Sequence, residues 1–189
     1  MMSFVDNYLN RVQLAVENLS RPDVQAVVDA LYSAWQTKKT VFIIGNGGSA
    51  ATASHMMNDL NKLTISAGKH RFRAIALTDN MPLITAWGND AAYADVFAEP
   101  IRNLMQPGDV LVAISTSGNS PNVVRAVQVA KAEFGAQIIG WVGDQGGQLV
   151  SLSDLLVRIP DGHIGVQEDG HLILNHCIAN ALADQIRAA

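Results

Sequence analysis

The chain has 189 residues, 49% of them apolar and 16% charged, with a formal net charge of −4. That length allows one well-buried core and is short for two, and the composition is that of a folded soluble protein, not a disordered one. The acidic balance argues against a nucleic-acid duplex as ligand, no run of about 18 apolar residues would span a membrane, and residues 1–20 carry acidic and amide side chains where a leader needs an apolar block.

Phe4, Tyr8, Val12, Ala15 and Leu19 recur at helical spacing, as do Val24, Val27, Val28, Leu31 and Trp35 beyond the break at Arg21-Pro22. These helices, within residues 1–36, exceed what a doubly wound core requires, so oligomer contacts are expected of them. The pattern then alternates. Apolar runs rich in Val, Ile and Leu at 40–44, 73–77, 109–115, 137–142 and 154–159 read as strands buried on both faces. Helical stretches at 49–63, 81–105, 121–134 and, more weakly, 147–152 lie between them. Lys69, His70, Arg71 and Arg73 form a basic cluster that reads as a solvated loop. A last helix is expected over 167–186, and it carries the lone Cys177, which excludes an internal disulfide and points to a reducing, cytoplasmic setting. The whole predicts a single α/β domain over 1–189, with a five-stranded parallel sheet flanked by helices, doubly wound and flavodoxin-like.

Two loops follow strands and open onto helices: Gly45-Asn46-Gly47-Gly48-Ser49 and Ser115-Thr116-Ser117-Gly118-Asn119-Ser120. Unpaired N–H groups and the positive end of the helix dipole make such places anion sites. In the second loop Ser120 and Pro121 are a natural N-cap and first helical residue, which crowds hydroxyls around that positive end. The first loop, extended to Ala50, also satisfies the dinucleotide pattern G-x-G-x-x-A. A nicotinamide oxidoreductase needs an acidic residue about 20 positions on to hold the ribose. The nearest match, Asp79, comes far too late. No Gly-Lys-Ser/Thr ending supports a kinase or NTPase.

His55 and Asp59 stand four apart and so share one face of a helix, a spacing suited to a metal or an acid/base pair. The last helix offers Glu168, Asp169, His171 and His176. Glu168 and His176 are eight residues apart, about 12 Å along an unbroken helix. Either Glu168 lies on a non-helical lead-in, or the two side chains come from different subunits.

With Gly45 to Ser49, Gly88-Asn89-Asp90, Ser115 to Ser120 and Glu168-Asp169-x-His171 to His176, the chain resembles the sugar-isomerase (SIS) domains. Within them it resembles the phosphoheptose isomerases, along essentially its whole length. The resemblance implies aldose–ketose isomerisation of sedoheptulose 7-phosphate to D-glycero-D-manno-heptose 7-phosphate through an enediol, in lipopolysaccharide heptose biosynthesis. It implies phosphate binding by Ser115, Thr116, Ser117 and Ser120, and sugar contacts from Asn46, Gly47, Ser49, Asp90 and Glu168. Zinc would be held by His55, Asp59, Glu168 and His176, with Asp59 and His176 as the acid/base pair. A homotetramer with sites near subunit interfaces is the family expectation. Two positions depart from it: Asp59 stands where the family has Glu, one methylene shorter, and Glu168 stands where it has Gln. The rival reading is a non-catalytic SIS module that senses a phosphosugar or docks on a partner, as the replication-initiator-associating proteins do.

Overall fold

The computed structural model describes residues 3–189; residues 1 and 2, with which the expected domain begins, lie outside the described residues. Ser3 and Asp6 cap one another's N–H groups at 3.1 and 3.3 Å and start α1 (Phe4–Glu17). Pro22 sits in the first turn of α2 (Arg21–Gln36), where a missing donor costs nothing. The chain continues as β1 (Val41–Gly45), α3 (Gly48–Lys62), β2 (Ala74–Ala76), α4 (Met81–Asp90), α5 (Ala98–Leu104) and β3 (Val110–Ser115). It closes with α6 (Pro121–Phe134), β4 (Gln137–Val142), α7 (Leu149–Leu152), β5 (Leu155–Arg158) and α8 (Ile164–Ala188).

All five strands are parallel, in the order β2-β1-β3-β4-β5. Alternation along β1 splits the core in two. Val41 and Ile43 point with Met56, Leu60, Trp141, Ile178 and Leu182 toward α2, α3 and α8. Phe42 and Ile44 point with Phe97, Ile101, Val123 and Val127 toward α5 and α6. The direction of winding reverses between β1 and β3, so their C-terminal ends leave a crevice, the usual ligand position in open α/β sheets.

Two expected helix bounds change. The stretch 81–105 is not one helix: α4 ends at Asp90, a 3₁₀ turn spans Tyr93–Asp95, and α5 restarts at Ala98. Pro100 dictates the restart, because proline fits a helix only in its first turn. α8 begins at Ile164, before the expected 167, with His163 as an unusual N-cap whose Nδ1 accepts from the Gly165 N–H at 3.1 Å. Of the leading helices, α2 buries Val27, Val28, Leu31 and Trp35 in the chain's own core. α1 turns an apolar side outward, with Phe4, Val5, Leu9 and Leu14 exposed. Within the basic cluster, His70 stacks on Trp35 with ring centroids 4.3 Å apart, a packing role.

A candidate active site at the β1–β3 crevice and the α3–α8 seam

The first loop turns on Gly47, whose φ of 53° lies in the left-handed region that favours glycine. Ala50 N–H then reaches back to the Gly47 carbonyl at 3.0 Å and α3 begins. In the second loop, Ser115 Oγ lies 3.2 Å from Ser120 Oγ and 3.5 Å from Ser117 Oγ, and it accepts from the Gly118 N–H at 3.2 Å. Gly118, at φ 62°, lets this loop press on the Gly146 carbonyl, and Asn119 Oδ1 accepts from the Gln148 N–H at 3.0 Å.

The two loops are locked together. Asn46 and Asn122 exchange side-chain amide hydrogen bonds at 2.9 and 2.8 Å, and the Tyr93 hydroxyl donates to Asn46 Oδ1 at 3.2 Å. Between them lies a cleft of about 110 Å³ lined by Asn46, Ser49, Ser115, Thr116, Ser120 and Glu168. A larger hollow of about 330 Å³ adjoins it and is bordered by Gly47, Thr78, Met81 and Tyr93.

Farther along α3, a second cluster faces α8. His55 Nε2 is 3.3 Å from His176 Nε2, and Asp59 Oδ2 lies 3.5 Å from the first imidazole and 4.0 Å from the second. These three ligand atoms fall within 4.8 Å of one another, so the trio can hold a metal ion. Both imidazoles are open to solvent, whereas the Asp59 side chain is only 12% exposed. Buried Asn175 donates to Asp59 Oδ2 at 2.8 Å and Asn58 donates to Oδ1 at 3.2 Å, which fixes the carboxylate beneath the imidazoles.

Most of the expected residues meet: Asn46, Ser49, Ser115, Thr116, Ser120 and Glu168 line the cleft, Ser117 joins through Ser115, and Gly47 borders the adjoining hollow. Asp90 does not line it; it is exposed at the end of α4, bonded to the Asn89 amide at 2.7 Å. Glu168 is not brought to His55, Asp59 and His176 by its own chain. Because α8 is continuous from Ile164, the lead-in explanation falls and two full turns separate Glu168 from His176. Asn122, Tyr93 and Asn175 were not anticipated, since a single amide or phenol carries no spacing signal. His171, in the same helix, is fully buried against the Val142 carbonyl at 3.2 Å and faces neither cluster.

The model of the SIS domain family matches residues 4–143. A phosphoheptose isomerase of Geotalea daltonii is 33% identical over 189 residues, covering 98% of this chain and 97% of that protein. One from Mycobacterium tuberculosis is 34% identical over 176 residues, covering 93% and 89%. Among solved structures, phosphoheptose isomerase GmhA from Neisseria gonorrhoeae superposes with a TM-score of 0.84 at 31% identity, covering 94% of each chain. One from Francisella tularensis superposes at 0.87 with 26% identity, covering 97% of this chain and 100% of that one.

Proposed function

The chain belongs to the SIS-domain family, among the phosphoheptose isomerases, and on that premise we propose how its residues interconvert sedoheptulose 7-phosphate and D-glycero-D-manno-heptose 7-phosphate. One helix carries the reading. α3 opens on the loop that borders the hydroxyl-lined cleft and, two turns later, presents His55 and Asp59 to His176. The loop of residues 115–120 takes the phosphoryl group, with Asn46, Gly47, Ser49 and Glu168 toward the sugar and Asp90 as a further contact from outside the cleft.

Asp59 and His176 are the acid/base pair. One takes the proton from the carbon beside the carbonyl while the other gives a proton to the carbonyl oxygen, and a cis-enediol forms. The second group then takes the proton of the other enediol hydroxyl as the first returns a proton to the former carbonyl carbon. Asn175 and Asn58 compensate for the short side chain by holding Asp59 in one orientation. Four-coordinate zinc with ligands at about 2.0–2.1 Å needs ligand atoms about 3.3 Å apart. Two of the three spacings, 3.3 and 3.5 Å around His55 Nε2, fit zinc on His55, Asp59 and His176, and the 4.0 Å between Asp59 and His176 is wider. With zinc on these atoms, proton transfer would fall to Oδ1 of Asp59 and Nδ1 of His176. When bound there, zinc would polarise the substrate's carbonyl oxygen. Any contribution from Glu168 to that ion would come from a second copy of the chain.

The working assembly is a homotetramer with sites near the interfaces, in the cytoplasm. The outward apolar side of α1 supports it, as does an apolar groove of about 340 Å³ that includes Leu19, Val24, Val28 and Ile173. Among the described residues no helix is long and apolar enough to cross a membrane, and the single Cys177 suits a reducing compartment.

Incubation of the purified protein with sedoheptulose 7-phosphate in D₂O tests the reaction. The aldose product should carry solvent deuterium at the carbon next to its carbonyl. Binding without exchange would favour a non-catalytic phosphosugar module.

A further inference from the structure

Two helices, α3 and α6, begin at one cleft, and their N-termini are faced differently. At α6 the surrounding side chains are hydroxyls: Ser115, Thr116, Ser117 and Ser120. At α3 the capping residue is Gly47, which provides no side-chain cap. The Glu168 carboxylate lies against the first residue of α3, with its carbon and both oxygens filling the space that a Cβ on Gly48 would occupy. The positive end of α3 is therefore already opposed by a negative charge of the chain itself, delivered from the opening turns of α8. Without that charge, a loop of dinucleotide form beside a hydroxyl-rich helix start would offer a cradle for two adjacent phosphoryl groups.

We propose that Glu168 is a specificity-determining residue that closes the α3 half of the cleft to anions and restricts the site to ligands carrying one phosphoryl group. This rests on the reading of the 115–120 loop as the phosphoryl site. A diphosphoryl ligand seated on α6 would push its second group against the Glu168 carboxylate, where like charges in a confined, partly buried space repel. A monophosphate leaves that half of the cleft to neutral hydroxyls, which can donate to the same carboxylate. One residue thus separates a polyol monophosphate from a nucleotide-like diphosphate.

Glu168→Gln keeps the side chain's size and removes its charge. The dissociation constants of inorganic phosphate and inorganic pyrophosphate are measured by calorimetry on the wild-type protein and on E168Q, at one pH and ionic strength. Pyrophosphate should tighten at least about tenfold in E168Q, and phosphate by less than about threefold. A pyrophosphate gain no larger than that for phosphate, or no binding of either anion to either protein, overturns the proposal. Turnover of sedoheptulose 7-phosphate is read separately. An inactive wild type with the expected shift would remove the isomerase reading and keep the role of Glu168, and an active one without the shift would do the reverse.

Discussion

His55 and His176, 121 positions apart in the chain, meet with their Nε2 atoms 3.3 Å from each other. Asp59 completes the triangle, and Asn175 holds Asp59 from beneath through a 2.8 Å hydrogen bond. Groups that orient metal ligands contribute to metal affinity by fixing ligand geometry. Replacing Asn175 by Ala should therefore weaken divalent-cation binding about 10–100-fold, and His55→Ala should weaken it further. Competition with a chelator of known affinity measures both. Unchanged affinity in N175A would show that Asp59 needs no support.

Loss of proton transfer should be visible without loss of binding. D59N and H176A should lower turnover of sedoheptulose 7-phosphate by about 10²–10⁴ while the protein still binds the sugar phosphate. Ser120→Ala, at the phosphoryl end, should instead raise KM with a smaller effect on kcat. Full turnover in either of the first two variants would remove the acid/base assignment.

Two glycines with similar backbone angles should respond differently to alanine. Gly118 and Gly135 have φ of 62° and 58°, but a Cβ on Gly118 would strike the Gly146 carbonyl whereas one on Gly135 meets nothing within 4 Å. G135A should cost about 1–2 kcal/mol for the left-handed backbone alone. G118A should cost about 3 kcal/mol or more and weaken phosphate binding, because one backbone must move off the other. Urea unfolding distinguishes them, and equal losses would contradict the close approach of the two loops.

Acid should destabilise the fold through His171. Burial pushes this imidazole down from 6.5 to about 4, although the Val142 carbonyl opposes the shift. Between these values the unfolded chain takes up a proton that the folded one refuses, so the contribution is fully present above about pH 6.5 and is lost as pH falls toward 4. The loss is on the order of 3 kcal/mol. Unfolding free energies at pH 7.5 and 4.5 should therefore differ more for the wild type than for His171→Gln. The same difference in both proteins would place the acid sensitivity elsewhere.

The parallel sheet was legible because its strands, covered on both faces, must be continuous apolar runs, and β3 and β4 are. The loops at Gly45–Ser49 and Ser115–Ser120 were legible because a strand followed by glycines and hydroxyls and then a helix is a local pattern. His55 and Asp59 shared a face by their spacing alone. All of this depends on neighbours within a few residues, which sequence by itself determines. Partner choice across long separations does not. The approach of His176 to His55, the pairing of Asn46 with Asn122, and the resting of Glu168 on Gly48 follow from how α3, α6 and α8 dock on the sheet. Docking is decided by the packing of Met56, Leu60, Val123, Ile178 and Leu182 in the two cores, none of which touches the chemistry. That is why the residue types of the site, and the eight-residue gap between Glu168 and His176, could be read along the chain, while the unbroken run of α8 through both and the seating of Glu168 on Gly48 were decided by the tertiary structure.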